Sequence, residues 1–256
     1  MSRGFKVVIP ARYGASRLPG KPLADVGGVP LIRRVLERAR ASAAAEVVVA
    51  TDDQRIADVC REFGADVAMT EADHHSGSDR IAEVIRQRNW DADGIVVNLQ
   101  GDEPCMPPSL IDQVATDLAA LDAVGMATLA YPIDSSEQLF DPHVVKVVTD
   151  AQGFALYFSR APMPWHRDGF LGKRAHLPPS TPFLRHIGLY AYRAGFLGRF
   201  VAWPRAPLER AESLEQLRVL WHGERIHVSI AAEEPGPGVD TADDLRLVAQ
   251  RLAAAT

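Results

Sequence analysis

Short β-branched runs alternate with segments of helical period through the first half of the chain, the pattern of βαβ units around a mainly parallel sheet. Residues 5–9, 46–51, 65–69 and 94–100 read as strands. Between them, residues 31–41, 53–63 and 78–89 carry apolar side chains at helical spacing, as Ile56, Val59, Cys60 and Phe63 do. Asp53, Ser78 and Ser109 read as helix caps, and Gly64 as a helix stop. After residue 125 the rhythm changes to strands with shorter links, at 125–133, 144–149, 153–159 and 187–193. That is the look of an antiparallel extension added to an α/β core. Residues 161–182 are proline-rich without clean period, either a mobile loop or an ordered lid. A helix over 214–221, a strand over 226–231, a Pro/Gly turn over 233–240 and a helix over 241–252 complete the chain.

The expected fold is therefore α/β: an open, mainly parallel, Rossmann-like sheet with helices on both faces and a smaller antiparallel extension. Ligands belong at the carboxyl ends of its strands. The expected organisation is one domain over 1–256, with residues 1–124 as one half and 125–256 as the other. Nothing resembles a linker between independent units.

Composition narrows the picture. The chain has 256 residues, 47% hydrophobic and 24% charged, which excludes a disordered or collagen-like protein. No apolar run approaches the ~18 residues that span a bilayer, and the start lacks a signal-peptide core, so a cytoplasmic protein is expected. Cys60 and Cys105 have no zinc spacing. The net charge of −5 argues against a nucleic-acid or anionic-membrane binder. Yet the charge is uneven: the first 40 residues hold nine Lys/Arg against two Asp/Glu. A local anion site near the start is implied.

Its position is the loop after the first strand, Pro10-Ala-Arg-Tyr-Gly-Ala-Ser-Arg-Leu-Pro-Gly-Lys-Pro22. Arg12, Arg17 and Lys21 are interleaved there with Gly14 and Gly20, which suits a polyphosphate. The loop is not a Walker A motif, since five residues separate Gly14 from Gly20 and Pro22 replaces the metal-binding hydroxyl. Gln100-Gly-Asp-Glu-Pro104 ends a buried-looking strand and sets Asp102 at the sheet's carboxyl edge, a suitable place for Mg²⁺. Asp240, in the late Pro/Gly turn, is a second candidate carboxylate. Adjacent His74 and His75 point in different directions in an extended loop and are not read as metal ligands. His186 and Tyr190 share one strand face by period-two spacing.

The stretch from Ile9 to Leu23 resembles the nucleotide loop of sugar nucleotidyltransferases, and within them the 3-deoxy-manno-octulosonate cytidylyltransferase (CMP-Kdo synthetase) family. Further motifs match in order: Val49-Ala-Thr-Asp52, Asp73-His-His-Ser-Gly-Ser-Asp-Arg80, Asn98-Leu-Gln-Gly-Asp-Glu-Pro104, Arg185-His-Ile-Gly-Leu-Tyr190, Leu214-Glu-Gln-Leu-Arg-Val-Leu220 and Gly238-Val-Asp-Thr241. The resemblance implies CMP transfer from CTP to Kdo with release of pyrophosphate, for lipopolysaccharide biosynthesis. It implies Mg²⁺ held by Asp102 and Asp240, cytosine near Ser76, Gly77 and Arg80, and triphosphate on Arg12, Arg17 and Lys21. Gln100, Arg160, His186, Tyr190 and Glu209 are implied to line the sugar site, and the enzyme to be a homodimer. A cytidylyltransferase for 8-amino-Kdo or sialic acid stays open on the same residues. So does a nucleotide-binding regulator without turnover.

Overall fold

The computed structural model describes residues 4–14, 18–171 and 176–254. In chain order the elements are β1 (Lys6–Ala11), α1 (Leu31–Arg40), β2 (Glu46–Thr51), α2 (Gln54–Glu62), β3 (Asp66–Met69), α3 (Gly77–Gln87), β4 (Ile95–Asn98), α4 (Pro108–Ala119) and β5 (Met126–Pro132). There follow α5 (Ser136–Phe140), β6 (Lys146–Thr149), β7 (Ala155–Ser159), β8 (Leu184–Arg193), α6 (Ala194–Ala202), α7 (Pro207–Glu212), α8 (Leu217–Trp221), β9 (Ile226–Ile230) and α9 (Ala242–Ala254).

The strands form one sheet in the order β3-β2-β1-β4-β8-β5-β9, with the β6–β7 pair joined to it through β8. β3, β2, β1 and β4 are mutually parallel, β8 runs antiparallel between β4 and β5, and β9 is parallel to β5. Strands from both halves of the sequence share this sheet. Period-two alternation in β1 explains the layers on its two faces. Val7 and Ile9 join Ile32, Val35 and Leu36 of α1 and Leu110 and Val114 of α4. Val8 faces the other way, onto Ile81 and Val84 of α3 and Phe196 and Phe200 of α6.

β2 and β3 lie to one side of β1 and β4 to the other, so the chain reverses its lateral direction at β1. At such a switch point the loops leaving β1 and β4 diverge and open a crevice beyond their carboxyl ends. A small separate core of Val26, Leu31, Val239 and Val248 pins the 236–241 segment and α9 to the basic loop. Among the described residues no helix is long and apolar enough to cross a membrane.

Two expected caps are displaced. The N-cap of α3 is Ser76, whose side chain accepts from the Asp79 N–H, while the Asp79 carboxylate accepts from the Ser76 N–H at 3.0 Å. This reciprocal box needs its partner at the third helical residue, and Asp79 stands there for Ser76. Ser78 is instead buried and donates to Glu215 Oε2 at 3.0 Å. Ser109 lies inside α4, which starts at Pro108, and its hydroxyl donates to Glu233. Asp53 does cap α2. In the proline-rich 161–182 stretch, Phe170 and Leu177 pack with Ile133, Leu139 and Phe183, and none of its described residues lines the crevice.

Candidate active site

Close packing brings the ends of β1 and β4 together. A Cβ added to Gly101 would lie 2.7 Å from the Pro10 carbonyl oxygen, so only glycine lets the two backbones approach this closely. The Pro10 ring in turn abuts Gly77 at the start of α3. Gly20, in the left-handed region at φ 71°, turns the basic loop so that Lys21 opens a single 3-10 turn over the crevice.

The resulting cleft, of about 270 Å³, is lined by Arg12, Lys21, Ser76, Gly77, Arg80, Gln100, Asp102 and Asp240, with His74, His75 and backbone of β1. Eight residues expected from the sequence thus meet in one concavity, though they span more than two hundred positions. Arg17 lies outside the described residues. Lys21 Nζ donates to Asp102 Oδ2 at 2.7 Å, to the Val239 carbonyl at 2.9 Å and to Asp240 Oδ1 at 3.3 Å. Beside them burial, together with the Asp102 and Asp240 charges, pushes the Glu103 carboxyl up to about 8.

On the opposite wall, α3 presents its N-terminus, where free backbone N–H groups and the helix dipole favour electron-rich ligand atoms. Arg80 is only 3% exposed; its guanidinium donates to Thr70 Oγ1 and the Glu71 carbonyl, and lies 3.5 Å from Asp52 Oδ1. It therefore fixes the 70–77 loop as well as facing the cleft. His74 is engaged with Glu83, their Nε2 and Oε2 atoms 2.5 Å apart.

The expected sugar residues divide. Gln100 lines the cleft and donates to Asn98 Oδ1 at 3.3 Å, and Asn98 is paired in register with Tyr190. Tyr190 and His186 lie on one face with ring centroids 5.2 Å apart, half-buried at the edge of the second core. The single Thr128 hydroxyl proton reaches the Ile187 carbonyl at 3.0 Å and the Leu189 carbonyl at 2.8 Å, which leaves the oxygen to accept from a His186 Nε2–H at 3.0 Å. Arg160 donates to the Glu212 carbonyl at 2.8 Å and the Pro142 carbonyl at 3.0 Å, which fixes its guanidinium plane.

Glu209 stands on α7. It is 2% exposed and its carboxylate accepts from Arg218 at 2.6 and 2.9 Å, from the Ala206 N–H at 3.0 Å and from Arg205 at 3.2 Å. These bonds hold α7 against α8, and Glu209 lines, with Glu215, a second cavity that adjoins the nucleotide cleft. Glu215 was given no role from sequence, although it stands in the matched Leu214-Glu-Gln-Leu-Arg motif. Its Oε2 accepts from Ser78, its Oε1 is buried without a hydrogen bond, and burial pushes its carboxyl up. That second cavity, of about 320 Å³, shares His75 and Ser76 with the first.

A family model described as Cytidylyltransferase matches residues 6–226. A 3-deoxy-manno-octulosonate cytidylyltransferase of Pseudomonas fluorescens is 59% identical over 99% of this chain and 100% of its own. The chain belongs to the 3-deoxy-manno-octulosonate cytidylyltransferase family. A solved structure of CMP:2-keto-3-deoxy-manno-octonic acid synthetase complexed with CTP is 42% identical, with a TM-score of 0.89 over 98% of this chain and 100% of that one. The fold extends further: 4-diphosphocytidyl-2C-methyl-D-erythritol synthase, 15% identical, superposes with a TM-score of 0.64 over 98% of this chain and 99% of its own. Membership explains why the motifs fall around one cleft in a mixed sheet.

Burial pushes the His186 imidazole down to about 3, far below its unfolded value of about 6.5. Between those values the unfolded chain binds one more proton, so this group removes stability as pH falls from about 6.5 toward 3. The stability difference between the native protein and His186→Gln should therefore shift with pH by up to about 1.4 kcal/mol per unit over that window. Urea unfolding at pH 7 and 4.5 measures it; a pH-independent difference would contradict a neutral buried imidazole.

Proposed function

We infer that this protein transfers CMP from CTP to 3-deoxy-D-manno-octulosonate, releasing pyrophosphate, in the cleft between the basic loop and α3. The observation that carries the reading is the convergence of Asp102 and Asp240 on one cation, the Lys21 ammonium, beside Arg12 and the N-terminus of α3. Two carboxylates from separate segments that share a cation in an open cleft are an oxygen donor set of the kind Mg²⁺ takes, its remaining positions filled by water and phosphate. Asp102 and Asp240 are thus the residues to hold Mg²⁺, which when bound neutralises charge on the phosphate oxygens.

The chain's own groups do the positioning. Arg12 and Lys21 hold the triphosphate; the α3 N-terminus at Ser76 and Gly77, with Arg80, holds the cytosine. Gln100, His186, Tyr190 and Arg160 hold the sugar acid, the last through its carboxylate. Glu215, with a carboxylate oxygen lacking a hydrogen bond in the cavity that Glu209 also lines, is added to these as the carboxylate that faces the sugar. The anomeric oxygen bonds to the α-phosphorus, the bond from that phosphorus to the bridging oxygen breaks, pyrophosphate leaves and the hydroxyl proton is released. Catalysis comes from alignment and from preorganised positive charge. The enzyme works in the cytoplasm for lipopolysaccharide biosynthesis, as a homodimer.

Pyrophosphate release from CTP and Kdo should stop on chelation and return with Mg²⁺. Glu215→Gln should raise the KM for Kdo roughly tenfold, the cost of one charge-assisted hydrogen bond, and leave that for CTP within about twofold. Release in EDTA, or an unchanged KM for Kdo, would count against the metal and sugar assignments respectively.

A further inference from the structure

Lys21 is unlike the other cations of the cleft. Its three ammonium donors are all used, on two carboxylates and the Val239 carbonyl, and its side chain is 14% exposed where those of Asp102 and Asp240 are 32% and 51% exposed. The carboxylates themselves stand on fixed backbone. The Val239 N–H donates to the Asp102 carbonyl at 2.8 Å, and Val239 is buried against Val26, Leu31 and Val248. The Asp240 and Thr241 N–H groups both donate to Asp244 Oδ2, at 3.0 and 2.8 Å. Of the three charged groups, the flexible one is the lysine, on its four-carbon stem.

A monovalent ammonium and a divalent cation cannot occupy the same pair of carboxylates without strong mutual repulsion. The phosphate chains of a nucleoside triphosphate, entering the cleft that Lys21 shares with Arg12, offer the ammonium a second set of anionic acceptors. We propose that Lys21 couples the two ligands: in the free enzyme it neutralises Asp102 and Asp240 and competes with a divalent cation, and on nucleotide binding its ammonium passes to phosphate oxygens and releases the carboxylates. This rests on the assignment of Asp102 and Asp240 as the metal ligands. It makes metal affinity rise with nucleotide occupancy, and by linkage the reverse, without a hinge or lid. It also makes Lys21 a group that lowers the affinity of the free enzyme for the metal while serving the reaction.

The test is binding of Mn²⁺ alone, followed by its electron paramagnetic resonance signal, to the native chain, Lys21→Met, Lys21→Gln and Asp102→Asn. Lys21→Met should bind Mn²⁺ roughly tenfold tighter than the native chain, within the range of ordinary coupling constants. Lys21→Gln, which keeps a neutral donor toward Val239, should move the same way if the methionine variant fails to fold. Asp102→Asn should bind it more weakly. If both lysine variants bind Mn²⁺ no tighter than native while Asp102→Asn loses binding, the coupling role is overturned and the metal site stands. If Asp102→Asn binds as the native chain does, the ligand assignment fails, and the coupling role with it.

Discussion

Asp102→Asn should lower pyrophosphate release at saturating CTP and Kdo by about 10²–10³-fold or more, the loss typical of removing one preorganised electrostatic group. The substitution is nearly isosteric and acts on charge alone. Asp102 serves the fold through its backbone, since its carbonyl accepts from the Val239 N–H, and that bond survives in asparagine. Its carboxylate serves the cleft, where it holds Lys21 at 2.7 Å. Thermal unfolding should therefore stay close to native while turnover collapses. Asp240→Asn should lose activity in the same way, and the double variant should lose much less than the product of the two, because the pair acts as a unit. Turnover within threefold of native in either single variant would remove Asp102 and Asp240 from the reaction.

Much of this cleft was legible because its parts sit at strand ends. A β-branched run followed at once by Arg12, Gly14, Gly20 and Lys21 declares a strand and its carboxyl-end loop together, and Gln100-Gly-Asp102 does the same for β4. Glycine marks the place where the backbones must touch, as Gly101 does against Pro10. What escaped was decided by tertiary packing. Ser76 and Ser78 are equally good caps by residue type, and only the register of Asp79 chooses between them. The helix over Ala194–Ala202 was invisible because two glycines and a nearly all-apolar composition erase the polar face that periodicity needs. The two carboxylates Glu209 and Glu215 lie six positions apart beside one arginine, Arg218. Propensity could not say which would take its guanidinium at 2.6 and 2.9 Å and which would stand off at 3.7 Å.

Charge distribution also takes a clearer meaning from the fold. Of the basic residues in the first forty, Arg33 pairs with Glu37, Arg34 donates to the Val26 and Gly27 carbonyls before α1, and Arg40 donates to the Phe63 and Gly64 carbonyls after α2. Arg12 and Lys21 are the ones that reach the cleft among the described residues. The cleft thus sets two placed cations and a helix N-terminus opposite two carboxylates. Such a mixed field is suited to a metal-bound polyphosphate, whose two parts carry opposite charge.

Glu209→Gln should cost about 1.5–3 kcal/mol of folding stability, the worth of hydrogen bonds to a charged group, because Arg218 keeps Glu215 Oε1 at 3.7 Å as a second counter-charge. The Arg218 bonds, with the Ala206 N–H and Arg205, hold the Glu209 carboxyl below its usual range against a burial that would raise it. Arg218 also lies over the Phe200 ring, 4.9 Å from its centroid, so the pair ties α6, α7 and α8 together. Against a total stability of about 5–15 kcal/mol, the loss would be a large fraction. Arg218→Met should cost a similar amount, because it leaves the buried carboxylate only Arg205 and the Ala206 N–H. Glu209→Leu combined with Arg218→Met should recover most of the loss, since an apolar pair needs no desolvation of charge. Urea unfolding of the three variants measures these differences, and the KM for Kdo decides the role. If Glu209→Gln folds with native stability and raises that KM, Glu209 faces the sugar after all. If stability falls and the KM of the folded fraction is unchanged, the carboxylate that contacts the sugar acid is Glu215.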